Sequence, residues 1–125
     1  MKKVIYTDNA PAPIGPYNQA ILSGDTLYVS GQIAIDPGSG LLKMGSIEEE
    51  TKQVLENLKE VIEAAGMTME HIVKCSIFIA NMKQFKEINK VYADYFTKDA
   101  PARETVEVAC LPKNVNIEIS AIACF

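Results

Sequence analysis

Two charged residues in apolar surroundings, Arg103 and Glu118, are the side chains of this sequence best suited to chemistry. Arg103 lies in Pro101-Ala102-Arg103-Glu104-Thr105-Val106-Glu107-Val108-Ala109, a proline-bounded segment that turns into an apolar, β-branched run. A permanently charged guanidinium at the start of a half-buried strand needs an anionic partner, and its planar fork of donors matches a carboxylate or phosphate. That partner is either a protein acid or a small acid from solvent. Glu118 stands between Ile117 and Ile119, so strand alternation sends it to the opposite face, with Ser120, Ile122 and Cys124. If that face is covered, desolvation raises the carboxyl pKa and suits it to pass a proton near neutrality. Otherwise Glu118 is a solvated edge residue or the partner of a lysine. The strands carrying Arg103 and Glu118 are joined by a turn at 112–114, and a hairpin there would make the two residues neighbours. They would then form either a salt bridge or a site, with Arg103 holding an anion and Glu118 managing water. Each good hydrogen bond to a charged group contributes roughly 1.5–3 kcal/mol, which suits a metabolite.

Other segments offer surfaces rather than reactive groups. Pro13-Ile14-Gly15-Pro16-Tyr17 reads as a rigid wall with an aromatic tip, or else as a structural loop covered by Tyr17. In Tyr28-Val29-Ser30-Gly31-Gln32, Ser30 and Gly31 interrupt a strand. The glycine either lends backbone N–H groups to an oxygen anion or marks a bulge. Asn89, within a helical segment, reads from pattern as solvated. Asp36-Pro37-Gly38-Ser39-Gly40 is a turn without the spacing of a phosphate loop. His71 is the single histidine, which disfavours a Ser-His-Asp triad or a multi-histidine metal site, and no metal-ligand spacing or dinucleotide fingerprint is present. Cys75, Cys110 and Cys124 are odd in number, lack CxxC spacing and lie in apolar runs, as expected of buried thiols in a reducing cytoplasm.

The elements that must position these residues follow from periodicity. Short strands are expected at Val4-Ile5-Tyr6, at Ala20-Ile21-Leu22 and at Leu27-Tyr28-Val29-Ser30, the last two flanking a hairpin turn at Ser23-Gly24-Asp25. The proline-rich stretch from Asn9 to Pro16 is a restricted loop, and the β pattern continues from Gln32 to Ile35. Helical spacing of Ile47, Val54, Leu55, Leu58, Val61, Ile62 and Ala65 predicts a helix over 46–65. Ser46 caps it, with Glu49 completing a capping box, and Gly66 stops it. Glu48, Glu49 and Glu50 complement the positive end of its dipole. Ile72 to Ala80 reads as a strand, Met82 to Phe96 as a second helix, and 103–111 and 115–124 as the final strands. The order β-β-(β)-α-β-α-β-β predicts an α+β fold over a single domain, 1–125, with both helices on one face of one sheet. No third helix remains for the other face, so self-association is the expected cover.

Composition narrows the setting. A chain of 125 residues and 13.7 kDa, 48% hydrophobic and 22% charged, suits one globular domain without staples. A net charge of −4 and a pI near 5.0 weigh against nucleic acid as the main partner. No apolar run reaches the roughly 20 residues of a membrane span, and Met1-Lys2-Lys3-Val4-Ile5-Tyr6 does not read as a signal peptide. The expected compartment is the cytoplasm.

Taken in order and spacing, several segments resemble the Rid (reactive intermediate deaminase, or YjgF) family across nearly the whole chain. They are Ala12-Pro13-Ile14-Gly15-Pro16-Tyr17, Val29-Ser30-Gly31-Gln32-Ile33, Glu63-Ala64-Ala65-Gly66, Pro101-Ala102-Arg103, Val106-Glu107-Val108-Ala109, and Leu111-Pro112 through Ile117-Glu118-Ile119. The resemblance implies a chorismate-mutase-like α+β fold, a mixed β-sheet with two helices on one face, and a homotrimer with ligand sites between subunits. It implies hydrolysis of 2-imino acids, chiefly 2-iminobutanoate and 2-iminopropanoate, to 2-oxo acids and ammonia, with no cofactor and no metal. On this resemblance Arg103 is the carboxylate-binding arginine and Glu118 the water-positioning glutamate, while Tyr17, Ser30, Gly31 and Asn89 line the cleft. The family often has cysteine two residues after the arginine where this chain has Thr105, so a thiol step is not implied, and the Thr105 backbone carbonyl is left to orient water. The alternative is a trimer that binds a small carboxylate or 2-oxo acid without turning it over. A protein- or RNA-binding role is a further alternative, against which the missing basic stripe weighs.

Overall fold

A computed structural model describes residues 1–125. Its strands are β1 (Lys2–Ile5), β2 (Ala20–Ser23), β3 (Thr26–Gln32), β4 (Ile72–Ile79), β5 (Ala102–Glu107) and β6 (Ile117–Cys124), and its helices are α1 (Ile47–Ala64) and α2 (Phe85–Tyr95). They form a six-stranded mixed sheet in the order β1-β2-β3-β6-β4-β5, with β4 and β5 parallel and every other pair antiparallel.

Burial alternates along the strands and separates two faces. Leu27 and Val29 of β3, Cys75, Ile77 and Ile79 of β4, and Ile117, Ile119, Ala121 and Ala123 of β6 are all buried. They share one core with Val54, Leu55, Leu58, Val61 and Ile62 of α1 and Ile88 and Tyr92 of α2. Both helices therefore cover one face, as the element order predicts. The other face has no helix over it. One row across it runs Val4, Ile21, Tyr28, Ile122 and Lys74 in register, with Val4 and Tyr28 about half exposed.

Helix α1 starts where expected. The Ser46 hydroxyl accepts from the Glu49 N–H at 3.1 Å, and Gly66 leaves the helix at φ +80°. The acidic first turn does more than complement a dipole. Glu50 is fully buried, and its carboxylate accepts from both the backbone N–H and the side-chain amide of Asn116 at 2.7 Å. That clamp ties α1 to the entry of β6.

Three expectations are corrected. The β pattern does not run on to Ile35: β3 ends at Gln32 after a register shift past Val29, and Ile35 makes only an isolated bridge with Leu42. The cysteines differ in setting, with Cys75 buried, Cys124 half-buried and Cys110 exposed. The last two strands do not pair with each other. β5 follows α2 and lies parallel to β4, a crossover that needs an intervening helix. β6 pairs with β4 on its other side and with β3. The link from 108 to 116 passes around the end of β4, where Val108 N–H donates to the Ile79 carbonyl and Ala80 N–H to the Asn116 carbonyl. The end of that link is tight: Lys113 and Asn114 both take left-handed backbone, at φ 56° and 54°.

Candidate active site

One pocket of about 580 Å³ opens at the end of β3 and β6, on the uncovered face. It is lined by Pro11, Ile14 and Tyr17 of the loop before β2, by Ser30, Gly31 and Ile33 at the end of β3, and by Pro112 and Lys113 of the turn before β6 and Glu118 at its start. The loop before β2 holds its shape through a buried glutamine. Gln19 accepts from the Thr7 N–H at 2.8 Å and donates to the carbonyls of Thr7, Ala10 and Pro11. Its tip closes on itself, because the Tyr17 hydroxyl accepts from the Ile14 N–H at 3.3 Å. The segment after β3 is held from below by Asn57 of α1, whose side-chain amide donates to the carbonyls of Ile33 and Ile35.

Gly31 sits where the β3–β6 register shifts, so it is both part of the bulge and part of the pocket lining. The Glu118 carboxylate rests directly over it. A Cβ at Gly31 would lie 2.7 Å from Glu118 Cδ and 2.8 Å from Oε2. Glycine is what lets the carboxylate occupy that place. Burial pushes the Glu118 carboxyl above its ordinary value, the shift expected of a partly desolvated acid. The Ser30 hydroxyl donates to the Asn18 carbonyl at 2.6 Å, which fixes the loop to the strand.

Arg103 is elsewhere. It pairs across the sheet with buried Cys75 and so faces the helices, whereas Glu118 pairs with Phe78 and faces away from them. The two residues lie on opposite faces of the sheet and are not the hairpin neighbours that the sequence suggests. Arg103 Nη2 donates to Asn89 Oδ1 at 2.5 Å. Its Cζ lies 4.7 Å from the ring centre of Tyr92 and 5.5 Å from that of Phe85. Neither of the chain's two ion pairs, Lys43–Asp36 and Lys74–Glu104, involves it. The guanidinium is thus half-buried without a carboxylate partner. Asn89 is not solvated as its pattern suggested, but bonded to Arg103. Thr105, two residues along β5, faces the helices as well, and its buried hydroxyl has no hydrogen-bond partner.

The site residues therefore fall into two groups, Tyr17, Ser30, Gly31 and Glu118 around the pocket, and Arg103, Asn89 and Thr105 at the β5 edge. The sequence reading missed Gln19, Asn57, Tyr92 and Phe85. The signal for Asn57 was present: it falls in the same helical stripe as Val54, Leu58 and Val61, where a polar residue needs a buried partner.

The family model for Endoribonuclease L-PSP matches residues 7–125. The chain belongs to this family, that of the Rid or YjgF proteins. A RutC family protein of Pyrococcus horikoshii is 51% identical over 123 residues, 98% of each chain. The human 2-iminobutanoate/2-iminopropanoate deaminase is 45% identical over 123 residues, covering 98% of this chain and 90% of its own. The crystal structure of Escherichia coli TdcF with bound serine superposes with a TM-score of 0.93 at 38% identity, covering 98% of each chain.

Proposed function

We propose that this Rid-family chain hydrolyses 2-imino acids, chiefly 2-iminobutanoate and 2-iminopropanoate, to 2-oxo acids and ammonia. One observation carries the reading: Arg103 is a half-buried cation that no carboxylate of its own chain engages. A salt-bridge role is therefore set aside, and the fork is free for a ligand's acid group. The human relative named as a 2-iminobutanoate/2-iminopropanoate deaminase supports the choice of substrate.

The chemistry asks little of the protein. A protonated imine is already electrophilic. Arg103 would hold the substrate carboxylate, and Glu118 would take a proton from one water as its oxygen bonds to the C=N carbon. The same carboxyl would return that proton to nitrogen; as the C–N bond breaks, the carbinol hydroxyl gives its proton to the Glu118 carboxylate and becomes the carbonyl, and the departing ammonia carries that proton away as ammonium. The raised pKa of Glu118 suits both directions of transfer. Tyr17, Ser30 and Gly31 would wall the small substrate, and the Thr105 carbonyl would help orient water.

Arg103 and Glu118 cannot share one substrate inside one chain, because the sheet lies between them. We place the reaction in clefts of a homotrimer, where the β5 edge of one subunit meets the pocket of the next. The uncovered apolar row Val4, Ile21, Tyr28 and Ile122 supports such an assembly. The mass in solution should be that of three 13.7 kDa chains, about 41 kDa.

The test is release of 2-oxobutanoate from 2-iminobutanoate freshly made by a threonine dehydratase. Arg103→Ala should lose most of that turnover while staying folded and assembled, and retained turnover counts against the assignment. A second reading, binding of a small carboxylate without turnover, draws on the serine bound to TdcF. A wild-type protein that binds 2-oxobutanoate but never accelerates imine hydrolysis would favour it.

A further inference from the structure

Phe85, Asn89 and Tyr92 are spaced i, i+4 and i+7 along α2, so they project from one side of the helix. All three meet the Arg103 guanidinium, and they meet it differently. Asn89 Oδ1 takes one hydrogen of Nη2. A guanidinium has two two-pronged edges, Nε with Nη2 and Nη1 with Nη2, so one acceptor on Nη2 fills one edge and leaves the other whole. The aromatic rings take no N–H. They bring Cζ to within 4.7 Å of the Tyr92 ring centre and 5.5 Å of that of Phe85, and so hem in the guanidinium from the helix side. Tyr92 is the nearer ring, and it is 5% exposed and anchored in the core. Its hydroxyl is buried next to Arg103 and Cys75 without a hydrogen bond of good geometry to either, so ring and hydroxyl are told apart by the phenylalanine variant below.

We propose that Tyr92 is a positioning residue whose ring serves as a shelf beneath Arg103, aiming the guanidinium edge left free by Asn89 at the substrate carboxylate. This rests on the reading that Arg103 holds that carboxylate.

The experiment compares Tyr92→Leu with Tyr92→Phe by kcat/KM for 2-iminobutanoate and by Kd for 2-oxobutanoate. Loss of a desolvated cation–π shelf should weaken both by about tenfold in the leucine variant. The phenylalanine variant should recover most of that loss and melt no lower than wild type, since it sheds an orphan hydroxyl. In an Arg103→Ala background Tyr92→Leu should cause no further weakening, whereas a mere packing role would lower both backgrounds alike. The proposal is overturned if the leucine variant stays within about twofold of wild type, or if its loss is undiminished without Arg103. Should wild type bind 2-oxobutanoate through Arg103 yet hydrolyse no imine, the proposed function fails and the shelf is still judged on Kd. Absence of both imine hydrolysis and 2-oxobutanoate binding overturns both.

Discussion

Gly31→Ala would aim a methyl group at the Glu118 carboxylate, whose atoms are its three nearest neighbours. The new Cβ would fall 2.7 Å from Cδ, 2.8 Å from Oε2 and 2.9 Å from Cγ of Glu118. Non-bonded carbons settle at about 3.5–4.0 Å, so the carboxylate must retreat by about 1 Å. Gly31 is not among the residues of positive φ, so alanine suits its backbone. All three of the nearest atoms belong to one flexible side chain, and the fold should survive. Restricting the unfolded chain contributes about 0.4–1 kcal/mol in the other direction, so the melting temperature should move by only a few degrees. Turnover should suffer far more, because a 1 Å misplacement of a reacting group costs about a hundredfold. KM should change little if Arg103 grips the carboxylate. The assay is initial 2-oxobutanoate release from fresh 2-iminobutanoate, with circular dichroism melting on the same samples. In a Glu118→Ala background the glycine substitution should add no further loss. A folded Gly31→Ala protein with kcat within about threefold of wild type would refute the claim that glycine seats a working carboxylate.

Four further outcomes are expected. Glu118→Gln should lower kcat by about 10²–10⁴ while 2-oxobutanoate still binds. Burial holds the folded Glu118 carboxyl above its ordinary 4.5, so its contribution to stability is complete below that value and lost as pH rises through the folded one; the glutamine variant should therefore melt no lower than wild type at pH 8, and a clear drop there contradicts the desolvation argument. Glu50→Ala would orphan both Asn116 donors at a cost of about 2–3 kcal/mol, near 10 °C in melting temperature, and a shift under about 2 °C would show the clamp to be idle. Equal amounts of Arg103→Ala and Glu118→Ala chains, unfolded and refolded together, should regain about a quarter of wild-type activity, because half the chains supply each intact side of a cleft; a site completed within one chain would regain none.

Much of the fold was legible in the sequence because its elements are locally consistent. The stripe from Val54 to Ile62, the cap at Ser46 and the stop at Gly66 needed no tertiary information. The hairpin of β2 and β3 was signalled by Gly24, which turns at φ 59°. What periodicity could not supply was strand pairing. The residues at 103–107 and 117–124 are adjacent in sequence and separated by a turn signal, which suggests a hairpin. The parallel crossover after α2 won instead, and its cue is topological rather than local: the helix before β5 returns the chain parallel to β4, and β6 then fills the gap beside β3.

That one pairing changes what Arg103 and Glu118 imply. As hairpin neighbours on one face they would most simply neutralise each other, and a buried bridge needs no ligand. On opposite faces neither can quench the other, so each keeps an unmet requirement: the arginine for an anion, the carboxyl for a use of its raised proton affinity. The uncovered face bears both the apolar row and the Glu118 pocket, while the β5 edge presents Arg103 at the sheet's margin. In the proposed trimer, covering that face with another copy of the chain would be the same act as completing the site, so assembly and turnover should be lost together when the apolar row is disrupted.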